Sequence, residues 1–213
     1  MTQESAMKRI LAAVFVILLA AGCATAPPKP VWVAAESTYT AGKLNFAVDL
    51  PAGWMRLNTE DGVRITRDGF SLQVIGVDRY KVGDSLKNTK KKFEKGMLPQ
   101  EVSAILIDNM TLAEGVASSD VMENVPKQFA GIDGFRVLLR LHLKNGEERR
   151  YAFYGGMSED WVFEIYYSAP RRYYFERDLE TFEGVARSFR LIKPLQAKAS
   201  GKGGGRHRVA NGA

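Results

Sequence analysis

The sequence predicts an α+β domain in which a central antiparallel sheet of about six to eight strands is flanked by helices. Three observations predict it. Val137, Leu139, Leu141 and Leu143 alternate with Arg136, Leu138, Arg140 and His142, the period-two pattern of a strand. Val102, Ile105, Leu106 and Met110, and later Phe175, Leu179, Phe182 and Val185, recur at helical spacing. The order of elements is strands, a helical pair, strands, a helix and a last strand, which fits layered α+β packing better than a βαβ winding. A folded body of about 150 residues buries enough surface for one core without cross-links. The chain has one cysteine in 213 residues, so an intrachain disulfide is impossible.

Leu44, Phe46 and Val48 alternate with polar or small residues and predict a first strand, closed by the turn Pro51-Ala52-Gly53 with Trp54 behind it. A hairpin is expected next, from strands at 63–67 and 70–77 joined by Asp68-Gly69, a dipeptide suited to a type I′ turn. Between Gly83 and Thr111 two helices are expected. The first is capped by Asp84 or Ser85, with Leu86, Phe93 and Met97 inward and Lys87, Lys90, Lys91, Lys92 and Lys95 on a solvated face. The second begins at Pro99, whose fixed φ and missing N–H suit a first helical turn. A strand is expected at 118–124. The strand at 136–143 then turns at Asn145-Gly146 into 150–154, and Trp161, Phe163, Ile165 and Tyr167 form the next apolar face. A helix over 175–185 and a short strand at 189–191 close the domain.

Three segments carry a family resemblance: Phe46 to Trp54 (FAVDLPAGW), Gly131 to Arg136 (GIDGFR) and Phe182 to Phe189 (FEGVARSF). Together they resemble the PsbP-like fold over about residues 40–192, and the chain is similar to DcrB-type envelope lipoproteins of that fold. The resemblance implies a PsbP-like sandwich. It brings no catalytic motif, and since members act mostly as binding or assembly factors, it implies that class of function by analogy only.

Lys8 and Arg9 precede an uncharged stretch, Ile10 to Ala21, that ends in small residues, the order of a secretory signal. The stretch is short for a membrane span, which needs about 20 apolar residues. Ala20, Ala21 and Gly22 before Cys23 resemble a bacterial lipobox, although leucine is commoner where Ala20 stands. The expected organisation is a signal peptide at 1–22, a lipidated N-terminus and linker at 23–42, the domain at 43–192 and a basic Gly-rich tail at 193–213. Lipid transfer requires a thiolate nucleophile, which Cys23 alone provides, and several acyl chains anchor far more firmly than one. Ala24 is not the aspartate that the lipoprotein family uses for inner-membrane retention, so the resemblance implies the outer membrane, facing the periplasm, in a diderm host. Met7 is an alternative start to Met1.

The net charge of +6 is unevenly placed. Residues 193–213 carry five basic and no acidic residues, and residues 24–192 are neutral in sum, so the charge gives no reason to expect nucleic-acid binding. The tail is expected to be solvated, or to meet anionic lipid or cell-wall polymer.

No Gly-x-Ser-x-Gly elbow, phosphate loop or paired-histidine motif occurs. The expectation is a non-enzymatic protein without cofactor or metal. One polar face, Arg136, Arg140, His142, Tyr154, Glu164 and Tyr166, is the candidate ligand face; it is either covered by a helix or open as a cleft for an apolar or anionic ligand. His142 is expected to pair with Glu164 or a tyrosine. The expected function is a membrane-anchored envelope lipoprotein acting as an interaction or assembly factor with an envelope protein partner; the alternative is a binding module for a lipid or other small ligand.

Overall fold

The computed structural model describes residues 32–35, 37–57 and 62–192. The expected signal peptide, Cys23 and the basic tail lie outside the described residues. Eleven strands are described: β1 (Trp32–Ala34), β2 (Thr38–Ala41), β3 (Phe46–Asp49), β4 (Met55–Leu57), β5 (Val63–Thr66), β6 (Val74–Lys81), β7 (Val116–Phe129), β8 (Ile132–Leu143), β9 (Glu148–Ser158), β10 (Trp161–Pro170) and β11 (Arg190–Leu191). Two helices, α1 (Pro99–Thr111) and α2 (Glu176–Ser188), complete the fold.

Eight strands form one sheet in the order β1-β4-β5-β6-β10-β9-β8-β7, with every pairing antiparallel. A second sheet has the order β11-β3-β2. The large sheet separates two cores. On one face Val63, Ile65, Ile75, Val77, Phe163, Ile165 and Tyr167 meet α2 and the small sheet. On the other, Phe135, Val137, Leu139, Leu141 and Phe153 meet Val102, Ile105 and Leu106 of α1. Alternation along β8 and β10 supplies both faces at once, because successive side chains of a strand point oppositely. Pro99 opens α1, and the Glu101 carboxylate accepts the Leu98 N–H at 2.7 Å, satisfying a donor that the helix leaves unpaired.

Three expectations are corrected. Residues 82–98 do not form a helix. Gly83, Asn88 and Gly96 interrupt the apolar spacing, and the segment folds as a loop pinned by a Ser85–Lys92 bridge, by buried Leu86 and Phe93, and by Asn88 bonds to Asn109 of α1 at 3.0 and 2.7 Å. The segment assigned to a linker over 23–42 contains β1 and β2, which pair with β4 and β3, so the folded unit includes residues before 43. The turn chemistry also differs. Asp68-Gly69 starts a wide connection in which Thr66 Oγ1 and the Gln73 amide bind backbone groups, delaying β6 to Val74. The turn with two positive-φ central residues is Ala130-Gly131, between β7 and β8.

Gly134, in the third residue pair from that turn, faces Gly156 across to β9. A β-carbon on Gly134 would stand 2.3 Å from the Gly155 carbonyl oxygen, so the strands must move apart to admit one. Gly134→Ala is expected to destabilise the protein by about 2 kcal/mol through overpacking, read by urea unfolding; an unchanged midpoint would contradict the fit.

Candidate functional site

β8, β9 and α2 assemble the first part of the predicted face. Arg136 on β8 stands opposite Tyr154 on β9, and its guanidinium lies 5.8 Å from the tyrosine ring centroid. Glu183 of α2 reaches both: its Oε1 accepts from Arg136 Nη2 at 3.0 Å and its Oε2 from the Tyr154 hydroxyl at 2.6 Å. Glu123 of β7 adds an ion pair to Arg136 at 2.7 Å. Burial pulls the Arg136 pKa down, but the hydrogen bonds to Glu123 and Glu183 outweigh it and hold the guanidinium above its ordinary value. Tyr154 is pushed up to about 12, first by burial and then by Glu183. This half of the face is thus covered by a helix. A 350 Å³ cleft opens beside it, lined by Lys127, Gln128, Tyr154, Glu183 and Arg187 among others.

Arg140 and His142 lie farther along β8 on the same face. Arg140 meets Asp120 and Glu148, each at 3.4 Å. His142 has Asp120 at 3.7 Å as its nearest acid, not Glu164 or a tyrosine. Asp120 carboxylate and the two basic side chains therefore form a partly exposed cluster at the β7–β8 surface.

Glu164 and Tyr166 lie on the opposite side of the sheet. Tyr154 pairs with Ile165, so the residues flanking Ile165 on β10 point away from Tyr154. Glu164 is 3 % exposed and accepts hydrogen bonds from the Tyr80 hydroxyl at 2.8 Å and the Tyr151 hydroxyl at 3.0 Å. Tyr166 stacks on Tyr151 at 5.1 Å between centroids, with the Arg64 guanidinium 5.3 Å from its own ring. Arg64 in turn pairs with Asp78 at 2.5 Å. Gly76 makes room for this arrangement, since a β-carbon there would stand 2.5 Å from the Tyr166 ring.

Burial, and then the neighbouring Asp78 charge, raises Glu164 to about 7. Burial also drives the Tyr80 and Tyr151 hydroxyls well above their ordinary values, so both remain donors to the carboxylate at neutral pH. The buried acid of this cage, Glu164, can hold a proton near neutrality, while Arg64 and Asp78 at the rim of the cage are partly exposed. Arg64, Asp78, Tyr80 and Tyr151 are its members that the sequence reading did not single out. The signal that finds them is the register of three strand pairs: Asp78 stands opposite Glu164 and Gly76 opposite Tyr166 across β6–β10, Arg64 stands opposite Gly76 across β5–β6, and Tyr151 stands opposite Ser168 across β9–β10.

The overall fold is shared with known structures. The solution structure of cyanobacterial PsbP (CyanoP) from Synechocystis sp. PCC 6803 matches with a TM-score of 0.51, covering 79% of this chain and 99% of that one at 12% identity. The fold is PsbP-like. The Saccharomyces cerevisiae Ran-binding protein Mog1p matches with a TM-score of 0.51, covering 76% of this chain and 97% of that one at 11% identity. No protein-family model and no curated protein sequence matches this chain. At such identity the PsbP-like likeness carries architecture and no site residue. Among the described residues no group of three or more His, Cys, Asp or Glu side chains is arranged to hold a metal ion, and no helix is long and apolar enough to cross a membrane.

Proposed function

We propose that this chain is a lipid-anchored envelope protein that acts, without catalysis, as an interaction or assembly factor for another envelope protein. Lipid on Cys23 is the proposed attachment, and the outer membrane facing the periplasm is the proposed location in a diderm host. The leader and the small residues before Cys23 support the anchor. The tail is proposed to add weak attraction to anionic lipid or wall polymer.

The observation that carries the interaction reading is β7. It is an edge strand of the large sheet and spans fourteen residues, more than twice the common strand length of about five to six. Its outer backbone groups have no strand partner among the described residues. Val121, Met122 and Val125 are 52%, 41% and 41% exposed along it. Edge strands of this length are ordinarily blunted, and β7 carries irregular register after Val116 and Val121 and a proline at 126. The stretch between these features fits one extended segment of a partner, bound by main-chain hydrogen bonds and apolar side-chain contacts.

Incorporation of a photocrosslinker at Val121 in intact cells is expected to yield a discrete protein adduct, whereas the same probe at Glu180, whose side chain is 85% exposed on α2, is not. Val121→Lys with Val125→Lys is expected to abolish the interaction and leave the melting temperature within about 2 °C, because both sites are solvent-facing. Equal adducts at 121 and 180, or none at either, would count against strand addition. Radiolabelled palmitate incorporated into the parent and absent from Cys23→Ser tests the anchor separately.

A further inference from the structure

We propose that the end of the large sheet bounded by Arg150, Arg171 and Arg172 is a binding site for a phosphate-type oxyanion. A groove of 820 Å³ opens there, lined by Gly146 and Glu147 of the β8–β9 turn, Glu148 at the start of β9, Pro170 at the end of β10, and Arg171 and Arg172 just beyond it. Arg150 lies next to this lining without being part of it: it pairs with Ala169, the residue before Pro170, and shares a strand face with Glu148.

The charges there do not balance locally. Arg140 and Arg150 stand directly opposite one another on β8 and β9, a like-charge pairing that costs stability when nothing neutralises it. Glu148 is divided between Arg140 at 3.4 Å and Arg171 at 3.2 Å. Glu147 is taken by Arg149 at 3.3 Å. Both acids of the groove are therefore already engaged. Arg150 has no carboxylate partner among the described residues; its guanidinium lies 5.9 Å from the Phe175 ring, and its Nε is out of solvent contact without a hydrogen bond. Arg172 is exposed on the groove and has no ion-pair partner among the described residues.

The backbone holds these cations in place. Tyr173 adopts φ 67 and ψ −57, a strained three-residue turn that a tyrosine rarely occupies. The turn separates Arg171 and Arg172 from the regular helix that starts at Glu176 and leaves them at the groove rim. Local strain of this kind persists where the surrounding structure enforces it and concentrates at ligand sites. Guanidinium forks match oxyanion geometry, and a phosphate group has enough oxygens to accept from three arginines at once. The oxyanion is supplied either as a phospholipid headgroup or as free phosphate.

Isothermal titration of the full chain in neutral maltoside micelles, at constant ionic strength, uses two probes: inorganic phosphate and short-chain phosphatidylglycerol. Saturable binding is expected, weakened at least tenfold by Arg172→Glu and by Arg150→Met. Arg172→Glu should keep the parent melting temperature, since the side chain is exposed and has no ion-pair partner among the described residues, so its result stands even if Arg150→Met unfolds the chain. Comparable binding of both probes identifies the free oxyanion as sufficient; binding of phosphatidylglycerol alone identifies the headgroup. Absence of binding to both probes, or parent-like binding by Arg172→Glu, overturns the proposal. The site is independent of strand addition, so the double lysine variant of β7 should bind these probes as the parent does.

Discussion

Asp178→Ala is expected to destabilise the protein by about 3 to 5 kcal/mol, the usual cost of removing one member of a buried charged network. Asp178 sits in the first turn of α2, where a carboxylate also complements the helix dipole, and it is 1% exposed. Its Oδ2 accepts from Arg177 Nε at 2.9 Å and from Gln73 Nε2, and Arg67 lies 3.6 Å from its Oδ1. Gln73 is fully buried, and its other amide atom is already used in accepting the Asp68 N–H. Truncation leaves the Gln73 NH₂ without an acceptor in the interior and loosens the β5–β6 connection from α2. In a domain of this size, the loss corresponds to a melting temperature lower by roughly 10 °C. Asp178→Asn keeps an acceptor oxygen and should recover part of the loss. Equal unfolding midpoints for parent and alanine variant would show that the network contributes nothing net.

The second large effect is a pH dependence centred on Glu164. Its folded value of about 7 lies above the ordinary 4.5, because burial disfavours the carboxylate. The protonated form is thus the one the fold prefers. The stability it contributes is complete below pH about 4.5 and is lost as pH rises through 7, since the folded state must then hold a buried charge. At about 1.4 kcal/mol per pH unit, the loss is about 3 kcal/mol. Glu164→Gln removes this titration, and its amide oxygen can still accept from one of the two tyrosine hydroxyls. Urea unfolding of both proteins from pH 4.5 to 8.5 should give curves that nearly meet at the acid end. Above pH 7 the glutamine variant should be the more stable. Curves that remain parallel across the range would place the buried acid outside the pH dependence.

Much of the architecture was legible because its signals are local. The alternation from Arg136 to Leu143, the helix opened by Pro99 and the closing helix beginning near Phe175 appear in the structure with modest changes of boundary. The failures arise where a local pattern competes with longer-range contacts. Leu86, Phe93 and Met97 are compatible with a helical stripe, yet Leu86 and Phe93 are buried from a loop that α1 and Tyr80 hold in place. β1 and β2 were hidden because a proline-rich approach and strands of three and four residues read as spacer until β4 and β3 supply their hydrogen-bonding partners.

The candidate face shows the same division. Alternation within β8 correctly groups Arg136, Arg140 and His142. It cannot set the phase of β10 relative to β9, because that depends on how many residues the 159–160 turn consumes, and a change of one residue reverses every side chain. Glu164 and Tyr166 consequently belong to a buried cage on the reverse face, whereas Tyr154 is clamped with Arg136 by Glu183.

By itself the sequence determined the fold class, a neutral body followed by a basic tail and a single cysteine at position 23. These are properties of composition and short-range period, which need no partner to be read. The tertiary structure alone decided which arginines are satisfied, which acid is sealed from water and which strand is left at the edge. Each of those depends on strand register and on what another part of the chain brings opposite, and neither is encoded within one turn or one strand.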